Sequence, residues 1–211
     1  MILSNVWTDK EVADYLIDSK PSSYITNVID GWAVAGKGKK CLDIGCGAGR
    51  YSIYATEKGL LVTSADKNVI MNGLSVIQAE MNSLPFKDKE FDYVLSINVM
   101  HNAISRQDFS KSVQEACRVL TQEGQLLCCI FTNDILDKDL SPGSENGMYL
   151  VNNELPMRLP SQEEMDQEMR ANGLEKISVI RNHQLTAIVG KGTRNMYTAL
   201  YQKTIQVNAS K

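Results

Sequence analysis

Apolar residues recur along this chain in two alternating rhythms. Short, mostly apolar runs at Lys39–Gly45, Leu60–Ala65, Leu74–Ala79, Phe91–Ile97 and Gln125–Phe131 have the length of strands, and the last two read as strands buried on both faces. Other stretches carry apolar side chains at three- and four-residue spacing. Arg50–Lys58, stopped by Gly59, is one; Ser105–Leu120, with Phe109, Val113, Ala116, Cys117 and Leu120 on a single stripe, is another. Two helices are expected ahead of the first strand. Thr8 and Glu11 have capping-box spacing for a helix reaching Ser19, and Pro21 opens a second through Tyr24, Val28 and Ile29, closed near Gly31. Alternating strands and helices predict an α/β fold, a mostly parallel sheet with helices on both faces.

The pattern changes after the fifth strand. Residues 132–160 are rich in Asn, Asp, Ser, Gly and Pro and too long for an ordinary connection, which predicts a lid, a binding loop or a disordered segment. Asp134, Asp137, Asp139, Glu145 and Glu154 outnumber Lys138 and Arg158 there, so the segment reads as a solvated acidic loop. Ser161 and Glu164 form a capping box for a helix to Ala171, ended by Asn172 and Gly173. Two β-like stretches follow, around Ile177–Ile180 and Met196–Tyr201. The 211 residues read as one domain: N-terminal helices at 1–35, a core at 38–131, an insert at 132–160 and a C-terminal helix with strands at 161–211.

Composition narrows the class. At 43% apolar and 22% charged residues the chain is neither disordered nor fibrous, and with 22 basic against 25 acidic residues it is not expected to grip nucleic acid. The five cysteines, Cys41, Cys46, Cys117, Cys128 and Cys129, form no CxxC or Cys/His pattern, so buried reduced thiols and no metal are expected. The longest apolar run, Leu126–Phe131, is far below the roughly 20 residues of a membrane helix. Asp9 and Glu11 follow too closely on the first residues for a signal peptide. A soluble, cytoplasmic protein with no membrane partner is the expectation, as a monomer or homodimer.

The segment from Cys41 to Arg50, CLDIGCGAGR, carries the chemistry. Strand, glycine turn and helix follow one another, and glycines at 45, 47 and 49 let a ligand approach the backbone while the helix start offers free N–H groups. A dinucleotide site would want GxGxxG beneath a pyrophosphate. Here Ala48 and Arg50 break that spacing, and Asp43 stands two residues before the first glycine, where a carboxylate would repel a pyrophosphate. A ligand with an ammonium and a sulfonium suits it better, and S-adenosylmethionine is such a ligand.

CLDIGCGAGRYS resembles the first motif of class I S-adenosylmethionine-dependent methyltransferases of the small "methyltransferase domain 11" type. SADKN after the second strand, QAEMNSLPF after the third, LPFKDKEFDYVLSINVMH around the fourth and CRVLTQEGQLL leading into the fifth continue the likeness across about residues 38–131. The resemblance implies a Rossmann-like, doubly wound sheet of seven strands, the last antiparallel, with an N-terminal helical lid. It implies that Gly45, Cys46, Gly47 and Gly49 pass under the methionine part of the cofactor and that Asp43 orients its ammonium. Asp66 would accept bonds from the ribose hydroxyls, Glu80 and Met81 would meet the adenine, and Asn98 would lie under the sulfonium. Thirteen residues separate Asp66 from Glu80, so the usual helix between strands two and three is missing or reduced to a turn. Lys67 is therefore only a candidate on the adenine side, with Val69, Ile70 or Met71 as a substitute wall.

His101, three residues after Asn98, is the candidate base or acceptor-orienting residue; His183 has no motif context and reads as structural or solvated. Trp7, Tyr15 and Tyr24 are candidates for an aromatic acceptor lid. Asn98-Val-Met-His101 stands where enzymes that methylate exocyclic base amines carry DPPY or NPPY. These readings point to methylation at O, N, S or C of a small-molecule acceptor. A protein, peptide or RNA acceptor, or a non-catalytic cofactor-binding subunit, are the alternatives.

Overall fold

The computed structural model describes residues 10–36, 38–68 and 74–204. Thr8, Trp7, Val69, Ile70 and Met71 lie outside them. Two helices, α1 (Lys10–Asp18) and α2 (Ser23–Ala35), precede β1 (Lys40–Ile44), α3 (Arg50–Glu57), β2 (Leu61–Asp66), β3 (Val76–Gln78) and β4 (Phe91–Ile97). Then come α4 (Arg106–Val119), β5 (Leu120–Thr132), β6 (Leu140–Pro142), β7 (Met148–Val151), β8 (Leu155–Arg158), α5 (Gln162–Ala171), β9 (Leu174–Thr186) and β10 (Thr193–Lys203). The main sheet has seven strands in the order β3-β2-β1-β4-β5-β10-β9, parallel except for β10, which runs antiparallel to both neighbours. This is the expected fold class.

Strand β5 explains why the sheet is covered on both sides. Leu126, Cys128 and Ile130 point into a core shared with Phe109 and Val113 of α4 and Met165 and Met169 of α5. Leu127, Cys129 and Phe131 point into a second core with Ile25, Ile29 and Trp32 of α2 and Tyr51 and Ala55 of α3. Successive side chains of a strand face opposite ways, so an unbroken apolar run must be buried twice. All five cysteines are free and buried. Among the described residues no helix is long and apolar enough to cross a membrane.

Local signals held unevenly. The capping box at α5 is complete: Glu164 N–H donates to Ser161 Oγ at 3.1 Å and Ser161 N–H to Glu164 Oε2 at 2.8 Å. Helix α2, by contrast, does not close at Gly31 but runs to Ala35. Its buried stripe Ile25, Ile29, Trp32 continues through the glycine, and Trp32 stacks on Tyr93 with centroids 4.5 Å apart while its indole N–H donates to Gln125 Oε1 at 2.6 Å. Burying that indole outweighs the roughly 1 kcal/mol that an interior glycine costs a helix. The two C-terminal β stretches are also longer than their apolar cores suggested.

Residues 132–160 are the largest correction. They form a three-stranded antiparallel sheet in the order β6-β7-β8, not a loop or a disordered segment. Their acids divide: Asp134, Glu145 and Glu154 are exposed, as expected of a solvated segment, and Asp137 and Asp139 are not. Asp139 pairs in bidentate fashion with Arg194 of β10 (3.0 and 2.6 Å), a side chain wholly buried. Asp137 accepts Thr193 N–H at 2.7 Å, and Asp134 accepts Thr132, Gln162 and Asn195. Val151 and Met157 bury into the second core, so the small sheet is bound to the domain on its apolar side too.

Candidate active site

The C-terminal ends of the parallel strands open into a cavity of about 1240 Å³, larger than the ~300–1,000 Å³ of a typical single-ligand site. One end is the turn after β1. Gly45 has φ +66° and lies so close to Val99 that a Cβ would sit 2.3 Å from its methyl, so no side chain fits. Gly47, φ +55°, is different: a Cβ there would meet only Leu16, at 3.9 Å, and its N–H donates to Asp66 Oδ2 at 2.8 Å. Gly45 and Cys46 N–H both donate to Ala65 O (2.7 and 3.1 Å), which ties the turn to the end of β2. Gly45, Cys46 and Gly47 line the cavity; Gly49 does not, since Leu74 fills the space beside it and its part is to open α3.

Two carboxylates flank this turn. Asp43, 2% exposed, accepts Ser52 Oγ–H at 2.7 Å, and Ser64 Oγ in turn donates to Ser52 Oγ at 2.8 Å. Burial pushes its carboxyl up to about 7, with the nearby Asp66 charge adding to the rise against the Ser52 bond. Asp66, at the end of β2, holds Gly47 N–H on one oxygen and Asn68 N–H on the other, both at 2.8 Å. Burial raises its carboxyl as well. Further along, Lys67 and Glu80 pair at 3.0 Å with both side chains more than half exposed, and Met81 packs on the edge of the first core. All four line the cavity with Asp43. Among the described residues no helix joins β2 to β3; residues 69–73 of that connection lie outside them.

The middle of the cavity is set by β4 and β5. Asn98 closes β4 in the left-handed region (φ +62°), where its N–H donates to Cys129 O at 2.8 Å and its Oδ1 accepts Cys129 Sγ–H at 3.3 Å. His101, 1% exposed, stacks on Phe131 at 4.4 Å, and its Nδ1 accepts Phe131 N–H at 3.2 Å. Burial, reinforced by the Arg194 charge, holds the imidazole down at about 3. It is therefore neutral, and with Nδ1 used as an acceptor its proton sits on Nε2.

The far end comes from elements whose role the sequence did not announce. Tyr15 of α1, 52% exposed, and Tyr24 of α2 line the cavity. Facing them are Leu155 and Met157 of β8, Arg181, His183 and Leu185 of β9, and Met196 of β10. His183 is thus a cavity residue, its ring edge-on to Tyr24 at 5.6 Å. The one available signal was the spacing of Arg181, His183 and Leu185, every second position of a strand.

Comparison with known proteins agrees with this geometry. Residues 42–128 match the methyltransferase-domain family. The chain is 28% identical to the probable tRNA methyltransferase 9B of Mus musculus over 136 residues, 61% of this chain but only 26% of that protein. It is 27% identical to the demethylmenaquinone methyltransferase of Corynebacterium urealyticum over 164 residues, covering 66% of this chain and 69% of that one. Among solved structures, the Burkholderia thailandensis 1,6-didemethyltoxoflavin-N1-methyltransferase, with 1,6-didemethyltoxoflavin and S-adenosylhomocysteine bound, superposes with a TM-score of 0.66 over 95% of this chain and 82% of that chain at 16% identity. The matched domain holds the glycine turn, β2, β3, β4 and most of β1 and β5, and the two curated relatives named here are both described as methyltransferases, with different acceptors. Residues 42–128 of this chain thus carry a methyltransferase domain, whose relatives by sequence and by structure are class I S-adenosylmethionine-dependent methyltransferases.

Proposed function

We propose that this protein transfers a methyl group from S-adenosylmethionine to O, N, S or C of a small-molecule acceptor held in the same cavity. The residues fit that donor: Gly47 leaves open space where any other residue would put a Cβ, and the Asp66 carboxylate stands beside it at the strand end. Asp43, Gly45, Cys46, Gly47 and Asn98 would hold the methionine part, Asp66 the ribose, and Lys67, Glu80 and Met81 the adenine side. When bound, the donor supplies an electrophilic methyl on a good leaving group. The chain's own work is then alignment and exclusion of water, for which effective molarities can reach ~10⁵ M or more.

His101 fits an orienting role better than that of a base. Its Nδ1 lone pair is engaged by Phe131 N–H, which leaves Nε2–H as a donor toward the cavity. An acceptor oxygen or nitrogen bound there would be fixed by a hydrogen bond without losing a proton to the ring.

One observation supports a small acceptor most. The far end of the cavity is walled by the chain's own β8 and the β9–β10 hairpin, where a macromolecular acceptor would need an open face. Buried free thiols also suit the cytoplasm. Methyl-labelled donor incubated with cell extract divided by size tests the reading. Label in molecules that pass a small-pore filter supports it; label only in RNA or protein fractions refutes it.

A further inference from the structure

The two ends of the cavity differ in charge. Its carboxylates belong to the donor end or are engaged elsewhere: Asp43 and Asp66 flank the glycine turn, Glu80 pairs with Lys67, and Asp108 accepts Ile104 N–H at 2.9 Å and an amide hydrogen of Asn82. No acidic residue from β8, β9 or β10 lines the far end among the described residues. What lines it there is mostly apolar, with Leu155, Met157, Leu185, Val189 and Met196 contributing; beside the neutral Thr186, the ionisable exceptions on β9 are two, Arg181 and His183.

Both exceptions lack the partners such groups ordinarily have. Arg181 stands over the Tyr24 ring, 4.9 Å from its centroid, and no carboxylate pairs with it among the described residues. His183 has a buried Nδ1 with no hydrogen-bond partner. Burial, reinforced by the Arg181 charge, holds that imidazole below its usual range and so neutral. A neutral imidazole can carry its proton on Nδ1 and donate. The Tyr24 hydroxyl is turned to Met196 Sδ at 3.5 Å, so it satisfies neither of them. An unpaired guanidinium and an orphaned ring nitrogen two residues apart on one strand, beside an apolar wall, call for an anionic oxygen group on an apolar body.

We infer that the acceptor is an apolar carboxylic acid whose carboxylate is received by Arg181 and His183, with its apolar part along β8 and β10. This names the substrate class of the proposed methyl transfer and rests on that reading. A carboxylate matches the planar fork of arginine, and its second oxygen is free for the histidine. The remaining cations that line the cavity, Lys20 and Arg50, carry no repulsion for such a ligand; the Arg50 guanidinium lies 4.8 Å over the Tyr51 ring.

The test uses the protein saturated with S-adenosylhomocysteine and calorimetry with matched probes: octanoate and 3-phenylpropionate, each against its neutral amide. The expected result is that at least one acid binds about tenfold or more tighter than its amide. Arg181→Gln removes that preference, Arg181→Lys keeps part of it, and both leave S-adenosylhomocysteine affinity unchanged. Arg181 is exposed on its strand, so a melting curve suffices to show that each variant folds. Amides binding as well as acids, or no acid binding, overturns the inference. So does an Arg181→Gln variant that loses S-adenosylhomocysteine, since the guanidinium would then serve the donor's own carboxylate. Failure of the wild type to bind S-adenosylhomocysteine at all would be a separate result, against the donor assignment and not against the acid.

Discussion

Asp43 is asked to do two opposed things. Its carboxyl, pushed up to about 7 by burial, is half neutral near neutral pH, while the role expected of it needs a charge facing an ammonium. The sign follows directly. As pH falls below 7 the residue takes up a proton and the attraction is lost, so S-adenosylhomocysteine affinity should rise on going from pH 5.5 to 8.5, and Asp43→Asn should flatten that dependence. Stability runs the other way. A carboxyl raised above its ordinary 3.8 favours the folded state at low pH, and that contribution is lost as pH rises through 7. Asp43→Asn should therefore raise the melting temperature at pH 8, by roughly 2–4 °C for each kcal/mol released, with little change at pH 4. A variant no more stable at pH 8 would remove the desolvation argument. Asp66→Ala should weaken S-adenosylhomocysteine by about 1–3 kcal/mol, read by calorimetry, because both the ribose acceptor and the anchor of Gly47 N–H are lost. His101 should contribute no ionisation near 6.5 to a pH–rate profile, its ring being neutral down to about 3. That Asp43, Asp66 and His101 line one cavity was legible from sequence because each lies at or just beyond the end of a strand in a recognisable short motif. Arg181 and His183 were not, because nothing beside them in the chain marks a mostly exposed strand as the wall of a cavity.

At the level of elements, reading succeeded where burial and periodicity agreed. Strand β4 has the boundaries expected, and α4 differs by a residue at each end, because a doubly buried strand and an amphipathic helix leave few alternatives. Helix α2 shows the opposite case. Gly31 carries a stop signal in isolation, but Trp32 one residue later has a partner ring waiting on β4 that only the folded sheet supplies. A direct test follows: a Cβ at Gly31 would meet nothing within 4 Å, so Gly31→Ala should stabilise the protein by about 0.5–1 kcal/mol in urea unfolding. The small sheet escaped notice for another reason. Its strands are three to four residues long, include Pro142 and Pro156, and turn through Asn152 and Asn153 at positive φ, so every local feature reads as loop. Pairing between the strands and docking on Met157 and Val151 make it a sheet.

For the whole molecule, the donor half and the acceptor half are fastened differently. The donor half hangs on β1, β2 and β4, and the acceptor half is fastened by the buried Asp139–Arg194 ion pair together with Val151 and Met157 in the second core. Breaking such a pair leaves an uncompensated buried cation, a loss of about 3–5 kcal/mol. Asp139→Ala should therefore lower stability by that order and speed proteolysis within 133–160, read by limited digestion. If the folded fraction still binds S-adenosylhomocysteine normally, the two halves are mechanically separable; a parallel loss of that affinity would show them to be one unit.

If the halves are separable, the scaffold acts as a mounting plate. Positions 155, 157, 181, 183 and 185 line the cavity from β8 and β9, outside the glycine turn and its supporting strands, and would then be exchanged as a set. Altered acceptor preference would then arise by replacing one cassette, and a laboratory seeking a new methylated product would diversify those five sites first.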